Sequence, residues 1–279
     1  MAQTNTAPSA PIGVSEPEPN LGFVGSIGAA AIDLFLGARD LYSVFVRTLY
    51  YIFRGKREKG AVLKQMYEIG NKSLVFLCIT MGFIGMILVY QSGLQARRIV
   101  PDYTSLGATY MELLVRDFAA SIGALMLATR VGAGIAAEIG SMVVTEQVDA
   151  LRMSAADPID FLIVPRFLAS VVMTLMLITI AGTVAFCSGA ATAYIAFDVR
   201  PETFFNMRLI DVGDFATGFA KCIAYGAAIP IVSGYCGLST FGGSEGVGWA
   251  TTRAVVNSSL AIIVLNFFIS GAAFLIFPT

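Results

Sequence analysis

Acidic side chains are concentrated in one polar segment, residues 138–152, which lies between two strongly apolar runs. Its acidic residues are Glu138, Glu146 and Asp149, and its aliphatic residues are Val144, Val148 and Leu151. At helical spacing the segment predicts an amphipathic helix whose aliphatic side packs on membrane helices and whose carboxylates face water. Such a helix is suited to dock a soluble partner. A solvated helix that merely joins two spans is the alternative.

The second apolar run contains charged residues, which apolar segments normally exclude. Glu112, Arg116 and Asp117 lie near its outer end, and Arg130 lies near its inner end. Charges within a membrane span usually face a protein interior or an aqueous cavity. Glu112 and Arg116 are four residues apart and predict an ion pair, whereas Asp117 needs another partner. We interpret the cluster as the polar rim of an apolar cavity for an amphiphile. The alternative is an interfacial cluster with Arg116 extended toward water.

The composition predicts a multi-span helical membrane protein. The 279-residue chain is 56% hydrophobic and 13% charged, whereas soluble domains carry about a quarter charged residues. The net charge of −1 gives no indication of nucleic-acid binding. The sequence contains no histidine, which excludes Ser-His and Cys-His catalysis and histidine metal or haem sites. Its four cysteines are widely spaced, as is typical of small buried residues rather than of a metal site or disulfide.

Five apolar runs are long enough to cross a bilayer, so the predicted fold class is an all-α, polytopic helical membrane protein. The predicted spans cover residues 73–94, 111–135, 161–196, 215–238 and 254–277. The third run predicts a single long helix whose first turns lie at the interface, with a hairpin near Ser188 and Gly189 as the alternative. The sequence contains no G-x-x-x-x-G-K-[ST] motif and therefore no Walker A nucleotide site.

The N-terminal part of the chain differs from the rest in composition. Residues 1–20 are polar and Pro-rich and predict a disordered cytosolic tail. Residues 21–60 predict an interfacial amphipathic helix with a basic stripe that includes Arg39 and Arg47, partial membrane crossing being the alternative. Residues 61–279 form the transmembrane domain. Eight Lys and Arg residues precede the first span, which places the N-terminus and the acidic segment in the cytosol and the C-terminus in the periplasm.

Three sequence strings resemble a known family. The string TEQVDAL at residues 145–151, followed by DP at 157–158 and VPR at 164–166, resembles the MlaE/YrbE-type permeases. These are the membrane subunits of ABC transporters that work with MCE proteins. The string ATTRAVVNSSL at residues 250–260 matches the same family, as does LLVRD at residues 113–117, where the family often has Arg-Glu. The resemblance extends from about residue 30 to the end of the chain.

The resemblance implies a homodimeric permease of the bacterial inner membrane, with an interfacial N-terminal helix and five transmembrane helices per subunit. The implied partners are two cytosolic ABC ATPase subunits, a periplasmic ring of MCE-domain proteins and a small STAS-type cytosolic regulator. The implied cargo is phospholipid or a related lipid, moved between the inner membrane and the outer envelope in support of outer-membrane lipid asymmetry. The permease is then not an enzyme and holds no cofactor, because ATP and magnesium bind to the ATPase.

Candidate site residues follow from the resemblance and from the charge pattern. The residues expected to couple to the ATPase are Glu138, Thr145, Glu146, Gln147, Asp149, Leu151 and Asp157. Those expected at the lipid cavity are Phe83, Ile84, Ile87, Tyr90, Arg116 and Asp117. Arg253 is expected to contact head groups or the coupling segment, with simple interfacial anchoring as the alternative. The rival functions are an ion-coupled secondary transporter, which needs paired carboxylates near the bilayer midplane, and a non-transporting scaffold of an envelope complex.

Overall fold

The computed structural model describes residues 23–54, 60–99, 105–206 and 210–277, and every regular element in these ranges is helical. The predicted tail at residues 1–20 lies outside the described residues. The helices are α1 (Phe23–Arg54), α2 (Ala61–Ile99), α3 (Leu106–Val144), α4 (Gln147–Met153), α5 (Ile159–Phe197), α6 (Pro201–Phe204), α7 (Val212–Leu238) and α8 (Gly243–Ile276).

Five of the helices in the described ranges, α2, α3, α5, α7 and α8, are long and apolar enough to cross a membrane. The prediction of an all-α fold with five spans is therefore confirmed. The third apolar run forms one helix, α5, and not a hairpin. The helices are longer than the predicted spans. For example, α2 has 39 residues and measures about 58 Å at 1.5 Å per residue. Since the hydrocarbon layer is about 30 Å thick, the ends of α2 extend beyond it.

Helix α1 contributes to two compact units of the chain, one up to Tyr42 and the other from Ser43 onward. In the first unit, Phe35 is 71% exposed, and Arg39 forms an ion pair with Asp40 at 3.2 Å. Within the predicted interfacial helix at residues 21–60, residues 23–54 form α1. Residues 21, 22 and 55–59 lie outside the described ranges. Its location in the membrane interface stays a prediction.

Glycine residues allow close helix–helix contacts in the second unit. Gly85 of α2 lies so near α5 that a Cβ there would collide with the carbonyl oxygen of Ala185. A Cβ at Gly226 of α7 would lie 2.9 Å from the Cα of Val171 on α5. Small residues at such crossings let helix backbones approach closely in lipid, where van der Waals packing drives association.

Helix α7 is the most buried of the five long helices, since 56% of the residues in its apolar stretch are buried. It packs against α5, α3 and α8, and Tyr225 and Ile229 in its middle are fully buried. Tyr225 donates a hydrogen bond to Asn266 of α8 at 3.0 Å. Helix α3 packs in turn on α2, α5, α7 and α8. Because α2 packs on α5, α5 on α7 and α7 on α8, the exposed side of α3 lies in the gap between α8 and α2.

Three short segments of the long helices have π-helical hydrogen bonding: Leu114–Phe118 and Ala128–Gly132 in α3, and Ile159–Ile163 at the start of α5. Each contains at least one charged residue, namely Arg116 and Asp117, Arg130, and Asp160, respectively. A π segment changes the direction in which nearby side chains point and is frequent at functional sites. The charges of α3 are therefore presented in directions that ideal helical spacing does not predict.

We expect Gly85→Ala to destabilise the fold, because the added methyl group meets backbone atoms that cannot rotate away. Overpacking of this kind typically costs about 1–3 kcal/mol. The measurement is the apparent Tm of the purified protein in detergent. Gly82→Ala is the matched control on the same helix, since its Cβ would lie 3.5 Å from the Cγ1 of Val184, an ordinary contact. Equal Tm values for the two variants would contradict the assigned α2–α5 crossing.

Candidate functional site

The predicted coupling segment is not one helix. The sequence predicts a helix over residues 138–152, but α3 ends at Val144 and α4 begins at Gln147, with Glu146 in the left-handed region at φ 60°. The Thr145 hydroxyl donates back to the carbonyl of Ser141 at 2.8 Å. Such side-chain hydrogen bonds, together with β-branched residues at the end of α3, weaken helix continuation. We call residues 145–157 the elbow.

Buried contacts hold the elbow against the bundle. Val148 of α4 is 3% exposed and packs in the main hydrophobic core. Beside the elbow, Arg166 of α5 forms an ion pair with Glu138 of α3 at 2.8 Å and donates to the carbonyl of Leu162 at 2.6 Å. Arg166 is 4% exposed. This ion pair therefore joins the two long helices that the elbow connects.

Asp157 links the elbow to both α5 and α1. Its Oδ1 accepts a hydrogen bond from the amide of Ile159 at 2.9 Å, which caps the start of α5. Its Oδ2 accepts a hydrogen bond from the hydroxyl of Tyr51 at 2.8 Å. This hydrogen bond, followed by burial and the negative charge of Asp157, raises the pKa of Tyr51 above its ordinary value of 10.0. The Tyr51 hydroxyl is therefore protonated and able to donate throughout the neutral pH range.

The coupling residues predicted from the sequence meet at this end of the bundle. Four of them are exposed on the elbow: Thr145, Glu146, Gln147 and Asp149. Leu151 and Asp157 are half-buried, with Leu151 packed against the core, and Glu138 is turned toward Arg166. The elbow thus combines an exposed polar surface with a buried attachment to the bundle, which is the arrangement that a docking surface needs.

A second polar cluster lies at the opposite end of α3. Asp117 accepts a hydrogen bond from Lys221 of α7 at 2.6 Å and another from Ser121 at 2.9 Å. Arg116 forms an ion pair with Asp214 of α7 at 3.5 Å. Lys221 is 1% exposed, whereas Asp117 retains access to solvent. The two ion pairs neutralise charges within the spans and fasten α3 to α7.

The sequence pairs Arg116 with Glu112, but the structure pairs it with Asp214. The π segment Leu114–Phe118 explains this difference, since it changes the spacing on which the prediction relied. For Asp117 the sequence predicts a partner but does not identify it, and in the structure this partner is Lys221.

An apolar cavity of about 350 Å³ lies beside this cluster, at the end of the bundle away from the elbow. It is lined by residues of α3, α5 and α7, among them Leu114, Ala119, Ile178, Phe186, Phe215 and Cys222. Arg116 and Asp117 follow the lining residues Leu114 and Val115 in the sequence but do not line the cavity themselves.

The structure does not bring the other predicted lipid residues to this cavity. Phe83, Ile87 and Tyr90 are exposed on α2, where the ring of Tyr90 packs against Phe197 at 6.0 Å between ring centres. Ile84 is partly buried against the core. These four side chains and the cavity are separate features of one subunit, so a common lipid site would need a larger surface than this cavity provides.

Arg253, near the start of α8, lines a different cavity of about 380 Å³. Glu245 and Trp249 line it as well, together with Thr240 and Phe241 from the preceding turn. A Cβ at Gly140 of α3 would lie 2.8 Å from the Oγ1 of Thr240, so this cavity and Arg253 lie near the elbow end of the bundle, away from the apolar cavity. Within the described ranges, no three His, Cys, Asp or Glu side chains lie close enough together to hold a metal ion.

Comparison with known proteins decides the family. The profile of the family described as Permease MlaE matches residues 62–272. The chain belongs to the MlaE permease family. A probable ABC transporter permease protein of Synechocystis sp. is 36% identical over 228 residues, covering 80% of this chain and 86% of that protein. A probable ABC transporter permease protein of Rickettsia bellii is 33% identical over 258 residues, covering 91% and 98%, respectively.

The intermembrane phospholipid transport system permease protein MlaE of Haemophilus influenzae is 30% identical over 258 residues, which cover 90% of this chain and 97% of that protein. The matched region includes the elbow and both ion pairs between α3 and α7. The chain is thus a multi-pass membrane permease of the ABC transporter type.

Three residues of the permease that form these contacts are absent from the sequence-based prediction. Lys221 is the lone charge in the apolar run at residues 215–238, and a cation there is the natural partner of an acid in another span. Asp214 immediately precedes the same run, where a charged residue is a weaker indication of a partner in another span. For Tyr51 the sequence offers no signal, since its partner Asp157 is 106 residues away.

We expect Asp117→Asn to destabilise the permease by about 3 kcal/mol, because it leaves the ammonium of Lys221 buried without a counter-charge. The double variant Asp117→Asn with Lys221→Met should recover most of this loss, since it removes both charges. Apparent Tm in detergent measures both effects. The exposed pair Asp149–Arg152 is the control, and breaking it with Arg152→Ala should change the stability by less than about 1 kcal/mol. Additive losses in the double variant would contradict the assigned pairing.

Tyr51→Phe should loosen the C-terminal part of α1 from the elbow, since it removes one hydrogen bond worth about 1 kcal/mol and no apolar contact. Hydrogen–deuterium exchange should then rise several-fold in the peptide containing residues 43–54. Tyr50→Phe is the matched control, because Tyr50 is 53% exposed and bonds to Arg54 of the same helix rather than to the elbow. Equal exchange in both variants would show that the Tyr51–Asp157 hydrogen bond contributes nothing.

Proposed function

We propose that this permease is the membrane subunit of an ABC transporter that moves phospholipid, or a related lipid, between the inner membrane and the outer envelope. The observation that carries the proposal is the elbow. Its exposed face bears Glu146 and Asp149, while its buried face is attached to the bundle through Val148. A soluble partner that binds the exposed face could therefore move the spans.

The contacts around the elbow would transfer a force on it both to the spans α3 and α5 and to α1. α3 enters the elbow and α5 leaves it, and the Glu138–Arg166 ion pair ties these helices together beside it. Asp157 adds a cap on α5 and a hydrogen bond to Tyr51 of α1. A displacement of α4 would therefore shift several packed helices as one body, as coupling through contiguous contacts requires.

The energy for such a movement must come from another subunit, because the sequence has no Walker A motif. We place ATP and magnesium in two cytosolic ABC ATPase subunits and no cofactor in this chain. The carboxylates of the elbow favour a partner groove of positive potential, since complementary charge raises association rates and fixes register. In this proposal the N-terminus and the elbow face the cytosol and the C-terminus faces the periplasm.

The cavity at the other end of the bundle is suited to an amphiphile. Its lining is apolar, and the charged side chains of Arg116 and Asp117 lie in the same segment of α3 as lining residues Leu114 and Val115. Burial of an acyl chain stabilises it by about 0.8 kcal/mol per methylene, so emptying such a cavity needs an external energy source. The related protein of Haemophilus influenzae is named as a phospholipid transport permease, which agrees with lipid as the cargo.

We further propose that two copies of this chain form the membrane part of the transporter. Only 11% of the residues in the apolar stretch of α8 are buried within one subunit. Phe267 and Phe268 are exposed on this helix at 77% and 65%, and a second copy would cover part of such a surface. A periplasmic ring of MCE-domain proteins would then receive lipid at the end opposite the elbow, and a STAS-type regulator would act on the cytosolic side.

An ion-coupled secondary transporter is the second candidate, and the Asp117–Lys221 pair is the observation that favours it. A carboxylate held by a buried ammonium inside a span is a feature that proton- or sodium-driven carriers use. Purified permease in liposomes decides between the two functions. Lipid transfer driven by an ion gradient without any ATPase supports the second candidate, whereas a requirement for the ATPase supports the first.

Glu146→Lys should reduce ATPase binding at least about tenfold, because it places a cation where the partner groove is positive. Co-purification of the ATPase with the permease measures this effect, and membrane insertion should be unchanged since Glu146 is exposed. Glu202→Lys is the matched control: Glu202 is also exposed but lies on α6, beyond the far end of α5. Normal ATPase binding by Glu146→Lys, or equal loss in both variants, would contradict the coupling role of the elbow.

A further inference from the structure

Arg130 lies within the second span, toward its elbow end, and is exposed there. On α3 it is separated from Glu138 by eight residues and from Asp117 by thirteen, or about 12 Å and about 20 Å along the helix axis. The sum is close to the thickness of the hydrocarbon layer, about 30 Å. If these two acids mark the borders of that layer, Arg130 lies inside it, in the half nearer the elbow.

The guanidinium of Arg130 is held in place by the protein but is not neutralised by it. Its Nη1 donates a hydrogen bond to the hydroxyl of Ser73 on α2 at 3.1 Å, and Ser73 is fully buried. No carboxylate of the described residues lies within ion-pair distance of Arg130, whereas Arg116, Arg166 and Lys221 each have one. A guanidinium offers five N–H donors, so most of its binding capacity remains available.

There is room for a ligand next to this side chain. Arg130 belongs to the π segment Ala128–Gly132 and to the exposed side of α3, in the gap between α8 and α2. One helical turn along, Gly134 faces open space, since a Cβ there would meet no atom within 4 Å. The flanking helices carry exposed apolar side chains, among them Phe76 on α2 and Leu260 on α8.

We propose that Arg130 binds the phosphate group of a glycerophospholipid whose acyl chains lie along the gap between α2 and α8. A ligand for this site must be anionic at one end and apolar over the rest, because one cation faces an apolar surface. Arginine is suited to phosphate because its planar fork can donate two hydrogen bonds to two phosphate oxygens. This inference rests on the proposed function, since it takes phospholipid as the cargo, but the site is distinct from the 350 Å³ cavity.

The test uses the full-length chain in nanodiscs that contain phosphatidylglycerol with a photoreactive diazirine in one acyl chain. We expect cross-linking of this lipid to the peptide containing residues 122–142 to fall about tenfold in Arg130→Gln, as loss of a charge-assisted contact predicts. Arg130→Lys, which keeps the charge, should stay within about threefold of the native protein. Arg98→Gln is the control, because Arg98 is exposed near the end of α2.

A diacylglycerol with the same diazirine chain tests for phosphate, and it should cross-link weakly to every variant. Equal cross-linking of both lipids, or of the native protein and Arg130→Gln, overturns the inference. Competition by excess inorganic phosphate would assign the site to free phosphate and overturn it too. Dissociation of a dimer by Arg130→Gln, with the lipid cross-links unchanged, would mean that Arg130 pairs with a second copy instead.

These measurements need no ATPase and therefore separate this inference from the proposed function. If cross-linking does not depend on Arg130 while the ATPase still binds the elbow and lipid is still transported, the inference fails and the proposed function stands. If cross-linking depends on Arg130 but no ATPase binds, the lipid site stands and the coupling role of the elbow fails.

Discussion

A cation that is buried between membrane helices is stabilised by a nearby carboxylate, and two such pairs tie α3 to its neighbours. Lys221 of α7 is 1% exposed and bonds to Asp117, and Arg166 of α5 is almost as buried and bonds to Glu138. Asp117 and Glu138 lie near opposite ends of the apolar part of α3. Each ion pair joins a carboxylate of α3 to a buried cation on another long helix, so α3 is held near both ends of its apolar part.

This arrangement gives the proposed transport cycle a physical path. The elbow continues directly from α3, which carries the Glu138 contact at one end and borders the apolar cavity at the other. A force on the elbow would therefore reach the cavity through a helix that both ion pairs keep in register. The π segments Leu114–Phe118 and Ala128–Gly132 are the places where this helix departs from ideal geometry, and they contain Arg116, Asp117 and Arg130.

Much of this fold is predictable from the sequence, because long apolar runs have few alternative interpretations. The five spans and the position of the elbow follow from hydropathy and from the acidic segment. The division of that segment at Glu146 does not, because it depends on backbone conformation rather than on amphipathic spacing. The partnership of Arg116 with Asp214 escapes prediction because a π segment changes the spacing, and the Tyr51 contact escapes it because its partner is distant in sequence.

The sidedness of the elbow tests the central claim most directly. Met153 of the elbow is 89% exposed, and Glu202 is exposed beyond the opposite end of α5. In a cysteine-free background, a membrane-impermeant maleimide should label Met153→Cys in inside-out vesicles alone and Glu202→Cys in right-side-out vesicles alone. Labelling of Met153→Cys from the periplasmic side would contradict the account, because a cytosolic ATPase could not then reach the elbow.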